Sequence, residues 1–351
     1  MSLTNLISMN IFKKSLLMAS FSILATFILA CGDKNKTEAA EFFERGNFHF
    51  KKNETERALE LFTEAIDKVP DFADAYNNRG LCFEKMGNVD KARNDYRKAV
   101  ELDDSFSQAK LNYAHASLLL GENKEAENLL NQLAPTYTDS SQFFDLRGKF
   151  YLQSYNPDNA ISDFERSLTL SPNNLETKTN LGYALYLQRD FEKAKKTFLD
   201  VLSEEEGFAF ALNNLSATYG QIGDWKNALN YSEKAIDAQP NEITFINTHA
   251  LNLLENGEVE KASEYIGQAL KLHPENAYAL RNSGILKTKS DNKLSAVNIL
   301  SKVEATNPEV EFIYYYLGKA QQAAGNNNAA CQSFKRGALL NDTRCKAEKC
   351  Q

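Results

Sequence analysis

The chain has 351 residues, and its composition of 43% hydrophobic and 25% charged residues with only seven prolines is typical of a helix-rich globular protein of one or two domains. Its formal net charge is −7. Proteins that bind nucleic acid need a positively charged surface for the phosphates, so this charge argues against general binding of DNA or RNA.

The first predicted element is an apolar segment at the N-terminus. Lys13 and Lys14 precede the run LLMASFSILATFILA, which ends in a small residue. A basic start, a short apolar stretch and a small residue predict a secretory signal peptide over residues 1–30, which begins at the first residue or at Met9. The alternative is an uncleaved transmembrane anchor, but the 16 residues from 15 to 30 are fewer than the ~20 that a spanning helix needs.

The end of this segment, ILAC at residues 28–31, resembles the lipobox of bacterial lipoproteins. In that family the signal peptide is cut before the cysteine, so the resemblance implies a lipid on Cys31. Several acyl chains together would anchor the protein firmly to a membrane, with the polar residues 31–38 as a tether. In the enterobacterial sorting rule an aspartate after the cysteine retains a lipoprotein at the inner membrane. Gly32 occupies that place, so the resemblance favours the outer membrane.

The rest of the chain repeats with a period of 34 residues. Nine repeats without insertion or deletion run from Ala39 to Arg344, and residues 345–351 form a short C-terminal tail. Alanine occupies position 20 of every repeat, position 8 is always Gly, Ala or Ser, and position 24 is large in all but one repeat. The repeats are 39–72, 73–106, 107–140, 141–174, 175–208, 209–242, 243–276, 277–310 and 311–344.

This positional pattern predicts a helical hairpin in each repeat. Small residues at positions 8 and 20 let two helices cross closely, and the large residue at position 24 fills the space beside them. Turn-forming residues near positions 15 and 16 separate the helices, and proline at position 32 of five repeats ends the second helix. Because one hairpin cannot bury its own apolar face, neighbouring hairpins must stack.

A large residue at position 4, a small one at 8, Ala at 20, an aromatic at 24 and Pro at 32 resemble the tetratricopeptide repeat. The resemblance covers residues 39–344 and implies an all-α fold, a right-handed α-solenoid superhelix of nine hairpins. A pentatricopeptide RNA reader is a poor alternative, because its period is one residue longer and this chain is acidic.

No catalytic or metal-binding pattern accompanies the repeats. The sequence lacks G-x-S-x-G, H-E-x-x-H and a phosphate-binding loop, and its four histidines fall at different repeat positions. We therefore expect a protein that is not an enzyme and that uses neither a cofactor nor a metal.

Three cysteines lie near the C-terminus, namely Cys331, Cys345 and Cys350. An exported chain meets an oxidising environment, in which disulfides form. The last repeat resembles that of many bacterial envelope repeat proteins, which implies that Cys331 pairs with a cysteine near the terminus, Cys350 or Cys345. Three free thiols remain the alternative, because sequence does not fix connectivity.

In the tetratricopeptide repeat family, positions 2, 5, 6, 9, 12 and 13 of each first helix line the concave surface, here called the groove. The resemblance therefore places a row of position-6 amides in it: Asn78, Asn112, Asn180, Asn214 and Asn282. Further amides at position 5 are Asn77, Asn213 and Asn247. An amide can pair with the backbone of an extended peptide, or it can hydrogen-bond locally.

The C-terminal end of the groove is rich in aromatic residues. The resemblance places Tyr278, Arg281, Phe312, Tyr315 and Tyr316 there. Aromatic residues and arginine dominate binding hot spots, so this cluster predicts a docking site for a partner. The alternative is packing between the last two hairpins or against the tail.

These features together predict an exported, lipid-anchored scaffold or adaptor in the bacterial envelope, which binds segments of other proteins in its groove. We expect no nucleic-acid partner and no small-molecule substrate. The alternative is a lipoprotein that captures glycans or nutrients. Such proteins insert long loops between hairpins, and this repeat array has none.

Overall fold

The structure, a computed structural model, describes residues 34–290 and 292–349, and every regular element in these ranges is helical. This confirms the all-α prediction. The chain divides between Ser154 and Tyr155 into two compact units, here called the N-terminal body and the C-terminal body. The predicted signal peptide and Cys31 lie outside the described residues. Among the described helices, none combines the length and the apolar character that crossing a membrane requires.

The N-terminal body consists of helices that pack as consecutive hairpins. Its first helix, α1, covers 34–51 and therefore includes residues that the sequence assigned to the tether. There Glu38 forms ion pairs with Lys34 and Lys68, which ties the start of α1 to the second helix. The other helices are α2 Thr55–Lys68, α3 Ala73–Lys85, α4 Val89–Leu102, α5 Ser107–Leu119, α6 Asn123–Leu133 and α7 Ser141–Gln153.

The C-terminal body continues the same pattern from Pro157. Its first helices contact one another in sequence, from α9 through α11, α13 and α15 to α17, and so line one face of the stack. Its helices are α8 Pro157–Leu170, α9 Leu175–Leu187, α10 Phe191–Glu204, α11 Ala209–Gln221, α12 Trp225–Ala238, α13 Ile243–Glu255, α14 Val259–Leu272, α15 Ala277–Lys289, α16 Lys293–Thr306, α17 Ile313–Ala323, α18 Asn327–Leu339 and α19 Thr343–Lys346.

Helix boundaries follow the repeat closely. The second helices, from α2 to α18, all begin at position 17, and the first helices from α3 to α15 all begin at position 1. The one departure among the later first helices is α17, which begins at Ile313, position 3 of its repeat. Its N-cap, Phe312, is in the left-handed conformation with a φ of 59°. The segment 307–312 therefore forms a connection of its own ahead of α17.

Positions 8, 20 and 24 make the helix crossing that the sequence predicts. Ala92 and Ala194 at position 20 are fully buried. A Cβ added to Gly80 would lie 2.6 Å from Cε1 of Tyr96, and one added to Gly182 would lie 2.5 Å from Cε1 of Phe198. The backbone of the first helix therefore rests directly on the ring at position 24, and only a small residue fits at position 8.

The sixth repeat has Ser216 and Ser232 at positions 8 and 24, and polar contacts fill the space of the missing ring. Ser216 donates to the carbonyl of Ala228 at 2.8 Å and accepts from Nδ2 of Asn252 at 2.8 Å. Ser232 lies 2.9 Å from Nδ1 of His249, a residue that is 5% exposed. Burial lowers the pKa of His249 to about 4.

Turns between the helices of a hairpin use a left-handed residue at position 15. Glycine supplies it at Gly87, with a φ of 77°, whereas Arg189 adopts a φ of 69° in the fifth repeat. The other residues at position 15 with positive φ are Asn53, Gly121, Tyr155, Gly223, Gly257 and Gly325. This conformation favours glycine, because a side chain crowds the following carbonyl oxygen.

The C-terminal cysteines differ in state. Cys331 is disulfide-bonded, so the alternative of three free thiols is wrong. Cys345 is a free thiol, buried at the start of the tail, where its sulfur packs against Gly337 and contacts the carboxylate of Asp342. It is therefore not the partner of Cys331. Cys350 lies outside the described residues, so its pairing with Cys331 stays a prediction.

Candidate functional site

The amides of the N-terminal body bond to one another. Asn112 Nδ2 donates to Oδ1 of Asn77 at 2.9 Å, Asn77 Nδ2 donates to Oδ1 of Asn78 at 3.0 Å, and Asn78 Nδ2 donates to Oδ1 of Asn47 at 2.7 Å. Gln108 Nε2 donates to Oδ1 of Asn112 at 3.0 Å. Asn78 and Asn112 therefore belong to a local amide chain that links three repeats, which is the alternative that the sequence left open.

In the C-terminal body, Asn282 is part of the core and does not face the groove. It is fully buried, accepts at Oδ1 from Nε and Nη2 of Arg281 at 3.1 and 3.0 Å, and donates to the carbonyl of Asn247 at 2.9 Å. The prediction of Asn282 as a ligand contact is wrong, because the side chain fixes the guanidinium of Arg281. Asn180 is half-buried, and its Nδ2 atom is buried without a hydrogen-bond partner.

Two of the predicted hot-spot tyrosines pack against Arg344, the last residue of the ninth repeat. Tyr316 is 4% exposed, donates to Oε1 of Glu255 at 2.6 Å and accepts from Nη1 of Arg344 at 2.6 Å. The Arg344 guanidinium lies 3.9 Å from the ring centroid of Tyr315 and forms an ion pair with Glu255 at 3.1 Å. Tyr315 and Tyr316 therefore hold the last helices in place, and Tyr316 is not accessible to a partner, contrary to the prediction.

The candidate site is a cavity of about 370 Å³ inside the C-terminal body. First helices of the fifth to eighth repeats, the start of α12 and the segment before α17 form its walls. Of the predicted groove residues, Asn214, Tyr278, Arg281 and Phe312 line it. Its lining residues are Tyr183, Tyr186, Asn213, Asn214, Ala217, Gly220, Trp225, Ile243, Thr244, Asn247, Thr248, Leu251, Asn252, Asn276, Tyr278, Arg281, Glu311 and Phe312.

The segment before α17 closes one side of the cavity. The Tyr186 hydroxyl donates to the carboxylate of Glu311, and Gln221 Nε2 donates to that hydroxyl at 3.0 Å. The Phe312 ring lies edge-on to Trp225, with ring centroids 6.3 Å apart. The late start of α17 thus brings Glu311 and Phe312 across from the fifth and sixth repeats.

Two amide oxygens in the cavity lack partners. Asn213 and Asn247 occupy position 5 of adjacent repeats, are each 4% exposed, and have buried Oδ1 atoms without a hydrogen bond. A buried acceptor left unsatisfied costs about 1–3 kcal/mol. Since most buried polar groups in proteins are paired with protein or with ordered water, the two unpaired oxygens mark this cavity as the candidate site.

The cavity has one positive group, the guanidinium of Arg281, and one negative group, the carboxylate of Glu311, and both form hydrogen bonds within the protein. Arg281 is 2% exposed, and its Nη1 donates to the carbonyl of Glu311 at 2.9 Å. Burial, with the nearby carboxylate of Glu311, raises the pKa of Tyr183 to about 12 and raises that of Tyr278. The phenols are therefore neutral at physiological pH. Within the described ranges, no group of three or more side chains is arranged to bind a metal.

Some lining residues follow from the repeat and others do not. Tyr183 and Tyr186 are at positions 9 and 12, which line the groove in the family that the sequence resembles, so the repeat register could have identified them. Trp225 is the first residue of a second helix, and Glu311 enters only because α17 starts late. Neither carries a signal in the sequence.

Sequence models of protein families match most of the repeat region. Models described as tetratricopeptide repeat match residues 73–106 and 119–275, and one described as TPR repeat matches residues 46–87.

Individual proteins resemble the chain at low identity. The human protein DnaJ homolog subfamily C member 7 is 24% identical over 272 residues, which cover 73% of this chain and 48% of that protein. Protein CTR9 homolog of Arabidopsis thaliana is 23% identical over 269 residues, covering 72% of this chain and 24% of that protein. The chain thus spans less than half the length of these relatives. The crystal structure of a tetratricopeptide repeat protein from Parabacteroides merdae superposes with a TM-score of 0.55 at 15% identity, covering 71% of this chain and 98% of that one, and it shows the fold alone.

Proposed function

The chain belongs to the tetratricopeptide repeat family, and from this premise we propose that it is a scaffold that holds segments of other proteins at a membrane of the bacterial envelope. The observation that carries the proposal is the cavity of the C-terminal body, where the buried oxygens of Asn213 and Asn247 have no partner. In the N-terminal body the matching amides bond to one another. Partner binding is therefore assigned to the C-terminal body rather than to the whole groove.

The membrane attachment rests on the N-terminal sequence. Two lysines, a short apolar run and ILAC at residues 28–31 support cleavage before Cys31 and a lipid on its thiol. Gly32 in place of an aspartate supports the outer membrane. An alternative role in glycan capture gains no support, because the connections between described helices are short, and the one that lines the cavity, 307–312, has only six residues.

Attachment is tested by replacing the proposed lipid site. Cys31→Ser should move the protein from the membrane fraction to the soluble fraction, or stall its processing, because the thiol that takes the lipid is gone. Cys82→Ala is the matched control, because this free thiol is buried in the N-terminal body, and it should leave fractionation unchanged. Mass spectrometry that finds an unmodified Cys31 in membrane-bound protein would contradict the proposal.

Partner binding is tested by photocrosslinking in intact cells. A photoreactive residue at Tyr278, which lines the cavity and is 41% exposed, should form adducts with a discrete set of proteins. The same residue at Leu339, which is 84% exposed and lies outside that cavity, is the control. Equal adducts at both positions, or adducts at Leu339 alone, would count against a site in the cavity.

A further inference from the structure

We propose that segment 307–312, here called the strap, has two conformations and controls access to the cavity. In the closed conformation, which the structure shows, the strap connects the ninth repeat with the fifth and sixth. In the open conformation residues 311 and 312 form the first turn of α17, so that this helix begins at position 1 like the first helices from α3 to α15. The exchange itself is independent of the proposed function, and its effect on partner binding rests on that function.

The strap differs from the other connections in its structure but not in its proline. Proline also occupies position 32 before α3, α9, α13 and α15, and each of these helices begins at position 1. Pro308 therefore does not explain the late start of α17. Two successive turns replace the expected start of the helix: Val310 N–H donates to the carbonyl of Asn307, and Ile313 N–H donates to the carbonyl of Val310, both at 3.1 Å. The repeat register remains compatible with a helix that starts at residue 311.

The closed conformation is strained at Phe312. With a φ of 59° this residue is the third residue of the turn 310–313, a place where a positive φ favours glycine and disfavours a bulky side chain. In the open conformation Phe312 would have an ordinary helical φ. Glu311 would become the first residue of α17, where the partial positive charge of a helix N-terminus favours a carboxylate. Its carbonyl would accept from the N–H of Tyr315, as in any α-helix.

Contacts with distant repeats offset this strain in the closed conformation. Glu311 accepts at its carboxylate from the Tyr186 hydroxyl and at its carbonyl from Nη1 of Arg281 at 2.9 Å. The Phe312 ring is 9% exposed and packs on Trp225. Helix α17 itself packs chiefly on α15, α16, α18 and α19. The connection from α17 back to the fifth repeat therefore depends on the strap, and the two conformations exchange one set of favourable interactions for another.

Opening of the strap would remove one wall of the cavity. Glu311 and Phe312 form that wall in the closed conformation, opposite Tyr186 and Trp225. When both residues join α17, Tyr186 and Trp225 lose these neighbours and become accessible. A partner that contacts the uncovered surface would bind the open conformation better and would shift the equilibrium towards it. The closed conformation is thus an autoinhibited state.

Two substitutions at one position separate the backbone preference from the loss of the ring. Phe312→Ala and Phe312→Gly both remove the ring, but alanine favours the helix, whereas glycine tolerates the left-handed conformation. The ratio of open to closed protein should therefore be about tenfold higher in Phe312→Ala. The Cα chemical shift of Glu311 measures it by NMR and should move towards the helical value in that variant. Equal shifts in the two folded variants would overturn the proposal.

Tryptophan fluorescence tests closure from the other side of the contact. Trp225 is the one tryptophan of the chain and packs on Phe312. Tyr186→Phe removes the hydroxyl that donates to Glu311, so acrylamide should quench Trp225 about twofold more strongly. Tyr96→Phe is the matched control, because its buried hydroxyl also donates to a carboxylate, at 2.8 Å, but in the N-terminal body. It should leave the quenching unchanged. Unchanged quenching in folded Tyr186→Phe would contradict a strap held by this hydroxyl.

Photocrosslinking at Tyr278 connects the strap to the proposed function. Adducts in cells should be about fivefold or more abundant with Phe312→Ala than with Phe312→Gly, because more of the protein is open. Equal adduct yields despite different Cα shifts would overturn the control of access. Different Cα shifts without adducts in any variant would support the two conformations and count against the scaffold. Adducts together with equal Cα shifts would support the scaffold and overturn the strap.

Discussion

Arg189, the turn residue at position 15 of the fifth repeat, has a left-handed backbone conformation that favours glycine. Arg189 adopts a φ of 69° where five other repeats have glycine. Its side chain is exposed, and its guanidinium lies 5.7 Å from the ring centroid of Phe191. Arg189→Gly should raise the free energy of unfolding by about 1 kcal/mol, because the left-handed conformation disfavours a Cβ. Urea denaturation measures the change. Arg189→Ala keeps the Cβ and should give no gain.

His249 links stability to pH. Its pKa is about 4 in the folded protein because it is buried against Ser232, whereas an unfolded histidine titrates near 6.5. Between about pH 4 and about pH 6.5 the unfolded state binds more protons than the folded state. The contribution of the neutral, buried imidazole to the free energy of unfolding is therefore complete above about pH 6.5 and is lost as the pH falls towards about 4. We expect a loss of about 2–3 kcal/mol across that window.

Carboxylates also change the stability of the protein with pH, so the contribution of His249 is measured by comparison with a variant. The difference in unfolding midpoint between wild type and His249→Gln should shrink as the pH falls from 7 to 5, because glutamine does not take up a proton. A difference that is independent of pH would show that His249 is not buried in its neutral form.

At the scale of the element, the hairpin depends on close contact between its two helices. Ala194 at position 20 is fully buried where α9 and α10 cross. Ala194→Phe should destabilise the C-terminal body by about 1–3 kcal/mol or more, because the ring has no space. Since repeats contact mainly their neighbours, hydrogen exchange should speed up in α8 to α12 more than in α18.

The control for this substitution lies on the same helix. Lys196→Phe adds the same ring at an exposed position and should change the unfolding midpoint little. If Ala194→Phe increased hydrogen exchange equally in all helices of the C-terminal body, the result would be inconsistent with a stack of locally packed hairpins.

The elements themselves were largely predictable. One period of 34 residues relates the alanine at position 20, the small residue at position 8 and the large residue at position 24. The second helices accordingly all start at position 17. The start of α17 was not predictable from the period. By the repeat period, residues 311 and 312 should be the first two residues of the helix. Instead Phe312 adopts a left-handed backbone conformation, and its ring packs on Trp225, which lies three repeats earlier. A periodic sequence pattern contains no information on contacts between such distant repeats.

At the scale of the whole molecule, the candidate site depends on contacts between distant repeats. The register places Asn214, Tyr278 and Arg281 on the face that lines the cavity, whereas Phe312 reaches it through the connection before α17; their role in binding stays a prediction. Whether an amide in that groove is paired could not be predicted, since Asn77 and Asn213 share a position and differ only in their neighbours.

Arg344 joins the end of the chain to the seventh repeat. Its guanidinium pairs with Glu255 at 3.1 Å, and both side chains are less than a fifth exposed. Arg344→Ala should destabilise the C-terminal body by about 2 kcal/mol or more, because it leaves the largely buried carboxylate of Glu255 with the Tyr316 hydroxyl but without a positive charge. Hydrogen exchange should increase in α13, α17 and α19, which this residue holds together.

Arg336→Ala is the matched control for that variant. Arg336 also forms an ion pair, with Glu304 at 2.7 Å, but it is 66% exposed, so its loss should cost less than about 1 kcal/mol. Equal effects of the two substitutions would show that the burial of the Arg344–Glu255 pair adds nothing to an ordinary surface pair.

The contact of Tyr186 with Glu311 also sets an order of assembly. Hairpins form from residues close in the chain, which meet quickly, but this contact joins residues 125 positions apart. Its loop entropy is overcome only after the intervening hairpins have stacked, so the closure comes late in folding and, by reversal, opens early under denaturant. We therefore expect the cavity to open under denaturant before the hairpins around it unfold. If the cavity is the proposed binding site, a partner would enter it by displacing one segment, 307–312, while the hairpins around it stay folded.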